Sequence, residues 1–374
     1  MAKRIIISGG GTGGHIFPAI AIADALKKLH PETEILFVGA NGRMEMDKVP
    51  AAGYQIIGLD IAGYQRGSIL KNLSLPFKVL SSVSKAKSII KNFKPDAVVG
   101  VGGYASGPLL YAASTKNLPI LIQEQNSYAG ITNKWLAKKA KQICVAFDGM
   151  EQFFPVDRII KTGNPIRRTS VEIKGKREEA FESFNLNPNK KTILVTGGSL
   201  GAGTLNKCML AGLQQLIDAD VQLIWQTGKY YYQNVKEQLG ENNHPNICVL
   251  EFLNRMDLAY AAADVIISRA GAGTIAELCM VKKAVVLVPS PNVAEDHQTK
   301  NALALVEKGA AILVKDADAE KTLVKTVLDL LQDENQQQKL STQIGKLAMP
   351  DADINIAKEV LKITENKTDA VFTA

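Results

Sequence analysis

Ser8-Gly9-Gly10-Gly11-Thr12-Gly13-Gly14-His15 follows directly on the apolar run Ile5-Ile6-Ile7. β-Branched residues that end in a glycine-rich turn predict a buried parallel strand. Residues 16–29 then carry apolar side chains at helical spacing, with Pro18 near the start, where a helix tolerates proline. A strand, a glycine turn and a helix form half of a mononucleotide-binding unit, because glycines let the backbone approach an anion and the helix N-terminus directs N–H groups at it.

The same unit recurs in the second half of the chain. A strand at 191–196 leads into Gly197-Gly198-Ser199-Leu200-Gly201-Ala202-Gly203 and a helix from Thr204. The predicted strands are 4–8, 34–38, 55–59, 97–101, 120–123, 142–146, 191–196, 222–226, 247–251, 265–268, 284–289 and 311–314. They are apolar without alternation and are separated by helical segments, which predicts parallel sheets covered on both faces. We therefore expect an α/β protein with two Rossmann-like domains that face each other across a cleft.

The domain boundaries follow from a break in this pattern. At 374 residues the chain has the length of about two domains, and the strand–helix alternation stops at residues 162–168, before a polar segment. We predict an N-terminal domain over 1–163 and a C-terminal domain over 164–345. The last segment, 346–374, contains a helical pattern at 351–362 that is a candidate to pack back on the first domain, with a frayed tail after Thr364.

Composition limits the cellular setting. No apolar run reaches the ~18 residues of a membrane-spanning helix, and the N-terminus lacks a signal-peptide pattern. The four cysteines are scattered, as expected of buried thiols in a reducing compartment. These features predict a cytoplasmic protein. The net charge of +7 is compatible with a phosphate ligand or an anionic membrane surface, and we expect no nucleic-acid partner.

Two further stretches of the first half suggest a site. The turn at 100–108 is again glycine-rich and follows a strand, so both turns together offer backbone N–H groups suited to a diphosphate; close helix–strand packing is the alternative. Gln123-Glu124-Gln125-Asn126 places polar side chains directly after an apolar strand, where amides suit sugar hydroxyls. The alternative is a capped loop, with Asn126 or Ser127 opening the next helix.

Two stretches of the second half suggest a nucleotide-sugar site. Small residues at 268–276 lead to Glu277, whose carboxylate suits the vicinal hydroxyls of a ribose. A capping box formed with Thr274 is the alternative. Asp296, His297 and Gln298 follow a buried strand and suit sugar hydroxyls, although a solvated acidic helix start would give the same pattern.

Six strings, in the same order as in one known family, span almost the whole chain. They are Gly10-Gly11-Thr12-Gly13-Gly14-His15, Gly102-Gly103-Tyr104-Ala105-Ser106-Gly107-Pro108, Glu124-Gln125-Asn126, Gly163-Asn164-Pro165-Ile166-Arg167, Gly197-Gly198-Ser199-Leu200-Gly201-Ala202 and Ser268-Arg269-Ala270-Gly271-Ala272. The ordered set resembles the MurG family of bacterial peptidoglycan glycosyltransferases. This resemblance implies a GT-B fold and an inverting transfer of N-acetylglucosamine (GlcNAc) from UDP-GlcNAc to the 4-hydroxyl of the muramyl sugar of lipid I, which gives lipid II.

The resemblance also implies partners and a location. The substrates would be UDP-GlcNAc and lipid I, with no cofactor. The enzyme would bind peripherally to the anionic cytoplasmic face of the inner membrane, beside other cell-wall synthesis proteins. In the resembled family the C-terminal domain binds the donor and the N-terminal domain lies on the acceptor and membrane side.

Site residues carry over by position from the same resemblance. The catalytic candidates are His15, Glu124 and Asn126. The donor-binding candidates are Thr12, Gly13, Gly14, Asn126, Arg167, Ser199, Leu253, Arg269, Ala272, Gly273, Thr274, Glu277, His297 and Gln298. Arg167 and Ser199 would contact the diphosphate, the backbone near Leu253 with Phe252 and Met256 would hold uracil, Glu277 would hold the ribose, and His297 and Gln298 would hold the GlcNAc hydroxyls. The acceptor-binding candidates are Gly10, Gly11, Gly13, Gly14, Gly103, Tyr104 and Ser106.

The chemistry needs one general base and positive groups at the departing UDP. His15 is our candidate base and Glu124 its rival. Many family members have a histidine where this chain has Gln123, and since glutamine is not a base at neutral pH, that position is not essential for proton transfer. No paired acidic motif follows a strand, so we predict no metal site, with Arg167 and helix dipoles acting on the diphosphate.

Residues 69–94 mix apolar side chains with lysines, and Lys134, Trp135, Lys138, Lys139 and Lys141 extend this composition. A basic amphipathic stretch can lie on an anionic membrane leaflet. A helix with one core face and one solvated lysine face gives the same pattern.

Other functions were compatible with the fold. A UDP-GlcNAc 2-epimerase shares the two-domain architecture and needs no lipid acceptor. An NAD-dependent oxidoreductase is disfavoured, because Asn41 stands where a ribose-binding acid is expected after the second strand. A non-catalytic nucleotide-sugar-binding protein is the remaining alternative.

Overall fold

The computed structural model describes residues 2–61, 75–198, 200–240 and 244–369. The chain forms two compact units: Met1–Ile166 together with Asp351–Ala374, and Arg167–Pro350. The change of unit after Ile166 falls slightly later than the predicted boundary at 163. The reason is that Asn164 is buried and hydrogen-bonded to Gln123 and to the Gln125 carbonyl, which ties this segment to the first sheet.

The first unit is built on a seven-stranded sheet that is parallel throughout. Its strands are β1 (Arg4–Gly9), β2 (Glu34–Ala40), β3 (Gln55–Leu59), β4 (Ala97–Gly102), β5 (Ile120–Glu124), β6 (Gln142–Val145) and β7 (Ile159–Lys161). Their order is β3-β2-β1-β4-β5-β6-β7. The order reverses direction between β1 and β4, and a sheet of this type binds ligands at the carboxyl ends of the two strands at that switch point.

Helices cover both faces of this sheet. The first five are α1 (Gly13–Leu29), α2 (Glu45–Ala51), α3 (Leu75–Phe93), α4 (Ser106–Ser114) and α5 (Ile131–Leu136). Successive strand residues point to opposite faces, so Ile6 joins one apolar cluster with α4, while Ile5 and Ile7 join another with α1. Burial on both faces is the reason that the strands are uninterrupted apolar runs.

The second unit repeats this architecture with a six-stranded parallel sheet. Its strands are β8 (Thr192–Thr196), β9 (Gln222–Gln226), β10 (Ile247–Leu250), β11 (Val265–Ser268), β12 (Ala284–Leu287) and β13 (Ile312–Leu313). Its helices are α6 (Arg177–Ser183), α7 (Gly203–Ala211), α8 (Leu213–Asp218), α9 (Tyr232–Leu239), α10 (Met256–Ala262), α11 (Ala272–Val281), α12 (His297–Val306), α13 (Ala319–Gln332) and α14 (Glu334–Gly345). The strand order is β10-β9-β8-β11-β12-β13, so the switch point lies between β8 and β11.

The last helix, α15 (Ala352–Asp369), returns to the first unit. Ile356 and Val360 are fully buried in the same apolar cluster as Ile5, and α15 packs along α1. The helix continues past Thr364, where the sequence had suggested a frayed tail. Burial of its apolar face explains why a segment so far along the chain is part of the first unit's core.

Candidate active site

The glycine turn after β1 is held by the protein's own hydrogen bonds. Gly10 N donates to the carbonyl of Gly102 (3.2 Å), and Gly11 N donates to Oε2 of Glu45 (2.9 Å). The other carboxylate oxygen of Glu45 accepts from Ala40 N (3.0 Å), and Glu45 is only 1% exposed. The N–H groups of Gly10 and Gly11 are therefore already engaged before any ligand arrives.

This bonding narrows the predicted anion-binding surface. The first N–H groups of an α-helix have no acceptor within the helix, and in α1 these belong to Gly13 and Gly14, with Thr12 at the N-cap. Thr12, Gly13 and Gly14 are thus the part of the turn suited to a diphosphate. Gly10 and Gly11, which the sequence analysis assigned to the acceptor, use their N–H groups in bonds within the protein.

The two glycine turns of the first unit touch each other. A Cβ on Gly103 would lie 2.4 Å from the Gly10 carbonyl oxygen, and φ at Gly103 is +93°, a region that favours glycine. The Tyr104 side chain is half-exposed beside this contact. Ser106, in contrast, is buried, and its N–H donates to the Gly103 carbonyl (3.3 Å), so the structure does not present the predicted Ser106 to a ligand.

His15 lies where the two turns meet. Its Nδ1 is 3.1 Å from the carbonyl oxygen of Gly10. A carbonyl only accepts hydrogen bonds, so Nδ1 carries the proton in the neutral ring and Nε2 carries the lone pair. The ring edge bearing Nε2 packs against Gly102, where a Cβ would come within 2.7 Å of it. The geometry therefore holds the imidazole in a tautomer that can accept a proton at Nε2.

Glu124 is the centre of a hydrogen-bonded loop. Its Oε1 accepts from the backbone N (3.1 Å) and side-chain Nδ2 (3.4 Å) of Asn126, and its Oε2 accepts from Gly130 N (3.0 Å) and Asn133 Nδ2 (2.8 Å). These donors saturate a carboxylate that is itself buried. Glu124 is therefore placed to shape the loop. The helix that follows starts at Ile131 with Gly130 as N-cap, so Asn126 and Ser127 do not cap it.

Gln123 belongs to a buried amide network. Its Nε2 donates to Oδ1 of Asn164 (2.9 Å), and its Oε1 accepts from Nε2 of Gln125 (2.9 Å). Asn164 in turn donates to the Gln125 carbonyl (2.9 Å). Both ends of the Gln123 amide are satisfied inside the protein, so Gln123 and Gln125 position the carboxyl end of β5 and do not face a substrate.

The second unit has a pocket of about 650 Å³ at the carboxyl ends of β8, β11 and β12. Its lining is formed by Gly197, Gly198, Leu200, Gly201, Ala202, Gly203, Thr204, Lys207, Tyr231, Arg269, Ser290, Pro291, Asn292, Gln298 and Asp316. Two of the predicted donor residues, Arg269 and Gln298, are among them. Ser199 lies outside the described residues.

A close backbone contact shapes one wall of this pocket. A Cβ on Gly201, where φ is +83°, would lie 2.0 Å from the carbonyl oxygen of Thr227. Gln226 supports the same turn, because it accepts from the Thr196 hydroxyl (2.6 Å) and donates to the Gly198 carbonyl (3.0 Å). Only glycine at 201 permits this approach.

Arg269 is tightly held at the pocket. It donates to the carbonyls of Val288 (2.9 Å) and Pro289 (3.1 Å) and pairs with Asp316, which also accepts from the Thr204 hydroxyl (3.0 Å). Its charge is thus largely compensated, and it links the ends of β11 and β12. Sequence reasoning missed Asp316, because it lies far along the chain in a turn without a motif.

Gln298 contributes an amide to the same pocket. Its Oε1 accepts from Ser290 N (2.9 Å), which leaves the amide NH₂ oriented by that bond. It follows His297, the first residue of α12, which is preceded by Glu295 and Asp296 with φ of +54° and +53°. Two consecutive non-glycine residues with left-handed backbone conformation are uncommon, and such residues cluster at functional loops.

Glu277 lies one turn into α11, away from the lining of that pocket. Its Oε2 accepts from the hydroxyl of buried Tyr260 (3.0 Å). Burial raises the pKa of the Glu277 carboxyl, while the Tyr260 hydrogen bond and the positive charge of Arg167 oppose the rise. The helix begins at Ala272 with Gly271 as N-cap, so the capping-box alternative is wrong.

The predicted uracil region has a mixed surface. The Leu253 side chain is buried, whereas Phe252 is half-exposed, so a ligand there can meet the backbone of Leu253 and the ring of Phe252. Met256 begins α10, and Asp257 behind it is bonded by Arg255 through both carboxylate oxygens (2.9 Å each). The hydrogen bond from Arg255, with a second one from Lys176, holds the pKa of Asp257 well below its usual range.

The chain matches both domain descriptions of one enzyme family. Residues 5–145 match the glycosyltransferase family 28 N-terminal domain, and residues 192–356 match the C-terminal domain of that family. A relative from Bacteroides fragilis is 58% identical over 366 residues, which cover 97% of this chain and 96% of the relative. That relative is named UDP-N-acetylglucosamine–N-acetylmuramyl-(pentapeptide) pyrophosphoryl-undecaprenol N-acetylglucosamine transferase.

Solved structures show the same architecture. The crystal structure of MurG from Acinetobacter baumannii matches with a TM-score of 0.78 at 30% identity, covering 96% of this chain and 99% of that one. A UDP-N-acetylglucosamine 2-epimerase matches with a TM-score of 0.65 at 16% identity, covering 96% of this chain and 95% of that one. At that identity the second likeness indicates a shared fold alone.

Proposed function

The chain belongs to the MurG family within glycosyltransferase family 28, and from this premise we propose that it transfers GlcNAc from UDP-GlcNAc to the 4-hydroxyl of the muramyl sugar of lipid I, giving lipid II. The observation that carries the proposal is the 58% identity, over 97% of the chain, to a relative named for that activity. The predictions of a GT-B fold and of a hexosyltransferase are confirmed. The epimerase alternative is not favoured, because its support is confined to the fold.

The glycine turns of the first unit are the proposed acceptor site. The N–H groups of Thr12, Gly13 and Gly14 would bind the lipid I diphosphate at the N-terminus of α1. The acceptor oxygen then attacks the anomeric carbon of GlcNAc, and its proton passes to Nε2 of His15. The bond from that carbon to the phosphate oxygen breaks, and its electron pair leaves on UDP. Attack opposite the leaving group inverts the anomeric centre.

The second unit is the proposed donor site. The N–H groups of Ala272, Gly273 and Thr274 open α11 and would bind the UDP diphosphate together with Arg167. The Glu277 oxygen that does not accept from Tyr260 would accept from the ribose hydroxyls. The predicted contacts of His297 and Gln298 with the GlcNAc hydroxyls remain part of this proposal.

A transfer assay tests the function. Purified full-length protein is incubated with radiolabelled UDP-GlcNAc and a lipid I analogue, and label is expected to appear in the acceptor. Label that stays in nucleotide sugar, as its 2-epimer, would support the epimerase instead. Transfer is expected to persist in EDTA, since Arg167 and helix N-termini, and not a metal ion, would stabilise the negative charge of the departing UDP. Loss of transfer in EDTA, restored by Mg²⁺, would contradict that assignment.

Membrane association is proposed from a surface of the first unit. Phe77 (76% exposed), Leu80 (69%) and Trp135 (59%) project apolar side chains on α3 and α5. Exposed lysines accompany them, namely Lys78, Lys85, Lys87, Lys91, Lys94, Lys138, Lys139 and Lys141. Large exposed apolar groups with lysines suit the interface of an anionic leaflet. Residues 69–74 of the predicted stretch lie outside the described residues, and in the part of the chain that is described no helix is long and apolar enough to span a bilayer.

Substituting Phe77→Ser together with Leu80→Ser is expected to weaken binding to phosphatidylglycerol vesicles about a hundredfold or more, because removal of each side chain forfeits roughly 1.5–3 kcal/mol of apolar burial in the membrane. Co-sedimentation measures this. Val156→Ser is the matched control, since Val156 is also exposed (72%) on the first unit. Equal binding by both variants would contradict the assignment, and transfer to a water-soluble acceptor is expected to stay unchanged.

A further inference from the structure

Arg43 lies beside the proposed acceptor turn and has no assigned role. It stands between β2 and α2, and its guanidinium carbon is 5.6 Å from the centroid of the Tyr104 ring. The same ring reaches 4.0 Å from the position that a Cβ on Gly11 would occupy. The Tyr104 ring therefore lies between Arg43 and the glycine turn, at the carboxyl ends of the strands.

The position of Arg43 is set by Glu45. The buried Glu45 carboxylate bonds Gly11 N and Ala40 N, and so joins the start of α2 to both the glycine turn and the end of β2. Arg43 is two residues before this anchor. Its backbone is thereby held close to the turn, while its side chain remains exposed against Tyr104.

A positive charge beside the glycine turn would stabilise a bound diphosphate. Glu45 places a buried negative charge directly behind the turn that is proposed to bind a diphosphate, and like charges at short range repel. Arg43 is exposed, and among the residues that the structure describes no carboxylate pairs with it. Its positive charge is available to offset Glu45 and to meet the incoming anion.

We propose that Arg43 binds the diphosphate of the acceptor, with its guanidinium held in place by its cation–π contact with Tyr104. The planar guanidinium donates two parallel hydrogen bonds to phosphate oxygens, and an aromatic face orients it at little entropic cost. Arg43 adds a positive charge to a site whose other donors are the backbone N–H groups of Thr12, Gly13 and Gly14. This inference rests on the proposed function, because it takes lipid I as the acceptor.

Arg43→Gln tests the inference with full-length protein and a water-soluble lipid I analogue, in the absence of vesicles. The KM for the acceptor is expected to rise about tenfold to a hundredfold, as for loss of hydrogen bonds to a charged group, with the KM for UDP-GlcNAc unchanged. Arg43→Lys is expected to recover part of the loss, since it restores the charge without the paired donors. Lys28→Gln is the control. It also removes one positive charge, but at the far end of α1, roughly 22 Å from the first residue of that helix, and it is expected to leave both KM values unchanged.

Direct binding separates this inference from the proposed function. Calorimetry with the diphosphate-bearing analogue, and with one carrying an uncharged linker, is expected to show a loss in Arg43→Gln for the first analogue only. An acceptor KM within twofold of the wild type, or an equal loss with the uncharged analogue, would overturn the role of Arg43. Wild-type protein that binds the analogue without transferring GlcNAc would contradict the proposed function. The ratio of the dissociation constants of Arg43→Gln and wild-type protein for the diphosphate analogue would still test the role of Arg43.

Discussion

Replacing His15 by alanine is expected to lower the turnover number for GlcNAc transfer by about 10²- to 10⁴-fold, the usual contribution of a general base. Nδ1 of His15 is bonded to the Gly10 carbonyl, so under our proposal Nε2 would take the proton. His15→Asn is expected to be as slow, because its amide replaces the donor to Gly10 but does not accept a proton at neutral pH. Initial rates with a soluble acceptor measure both, and calorimetry is expected to show unchanged UDP-GlcNAc binding.

Glu124→Gln provides the comparison that separates the two candidate bases. Its amide loses acceptor capacity for the Asn126, Gly130 and Asn133 donors, so the loop loosens and the rate falls. The acidic limb of the pH profile, where the base becomes protonated, is nevertheless expected to persist in this variant. If that limb vanished in Glu124→Gln and survived in His15→Asn, Glu124 would be the base.

Gly201→Ala is expected to disrupt the pocket at the carboxyl ends of β8, β11 and β12, which contains Arg269 and Gln298 and which we propose as part of the donor site. The added methyl group would lie 2.0 Å from the Thr227 carbonyl oxygen, and φ at 201 is +83°. Strain and overpacking together destabilise by about 2–4 kcal/mol, and the turn relieves them by moving away from β9. We expect the dissociation constant for UDP-GlcNAc to rise at least about tenfold, since the turn forms one wall of the pocket.

Gly309→Ala is the matched control for this substitution. Gly309 also has a positive φ, +63°, but a Cβ there would meet open space. Only backbone strain of about 1 kcal/mol is expected, with donor binding retained. Thermal unfolding and calorimetry on both variants measure the difference. Equal donor affinity in the two variants would show that the close contact with Thr227 has no part in shaping the pocket.

Much of the fold was predictable because its strands are buried on both faces. Runs such as Ile5-Ile6-Ile7 have one physical explanation in an α/β protein, and the strands of both sheets lie where the sequence placed them, within a residue or two at the ends. The exception is β7 (Ile159–Lys161), which was not predicted. It is a three-residue, partly exposed edge strand, and such a strand has no distinctive apolar pattern.

The residue types of the candidate site were apparent from the sequence, whereas the bonding of their individual atoms was not. Glycines, His15, Glu124 and Glu277 stand out in the sequence by their place after strands. Which of their atoms remain for a ligand depends on partners that are distant in the chain. The Gly11 N–H is taken by Glu45, 34 residues away, and Arg269 is compensated by Asp316, 47 residues away. Neither Glu45 nor Asp316 lies in a sequence motif from which its role could be predicted.

The sequence by itself determined that this chain has two glycine-opened, parallel-sheet domains and the ordered motifs of one glycosyltransferase family. Local rules suffice for this, since apolar periodicity and glycine turns act over a few residues. Only the tertiary structure decided that the N–H groups of Gly10 and Gly11 are bonded within the protein, that Glu124 organises a loop, and that Arg43 stands beside Tyr104. A hydrogen bond between residues far apart in sequence is set by how strands and helices pack, and the packing exists only in the folded chain.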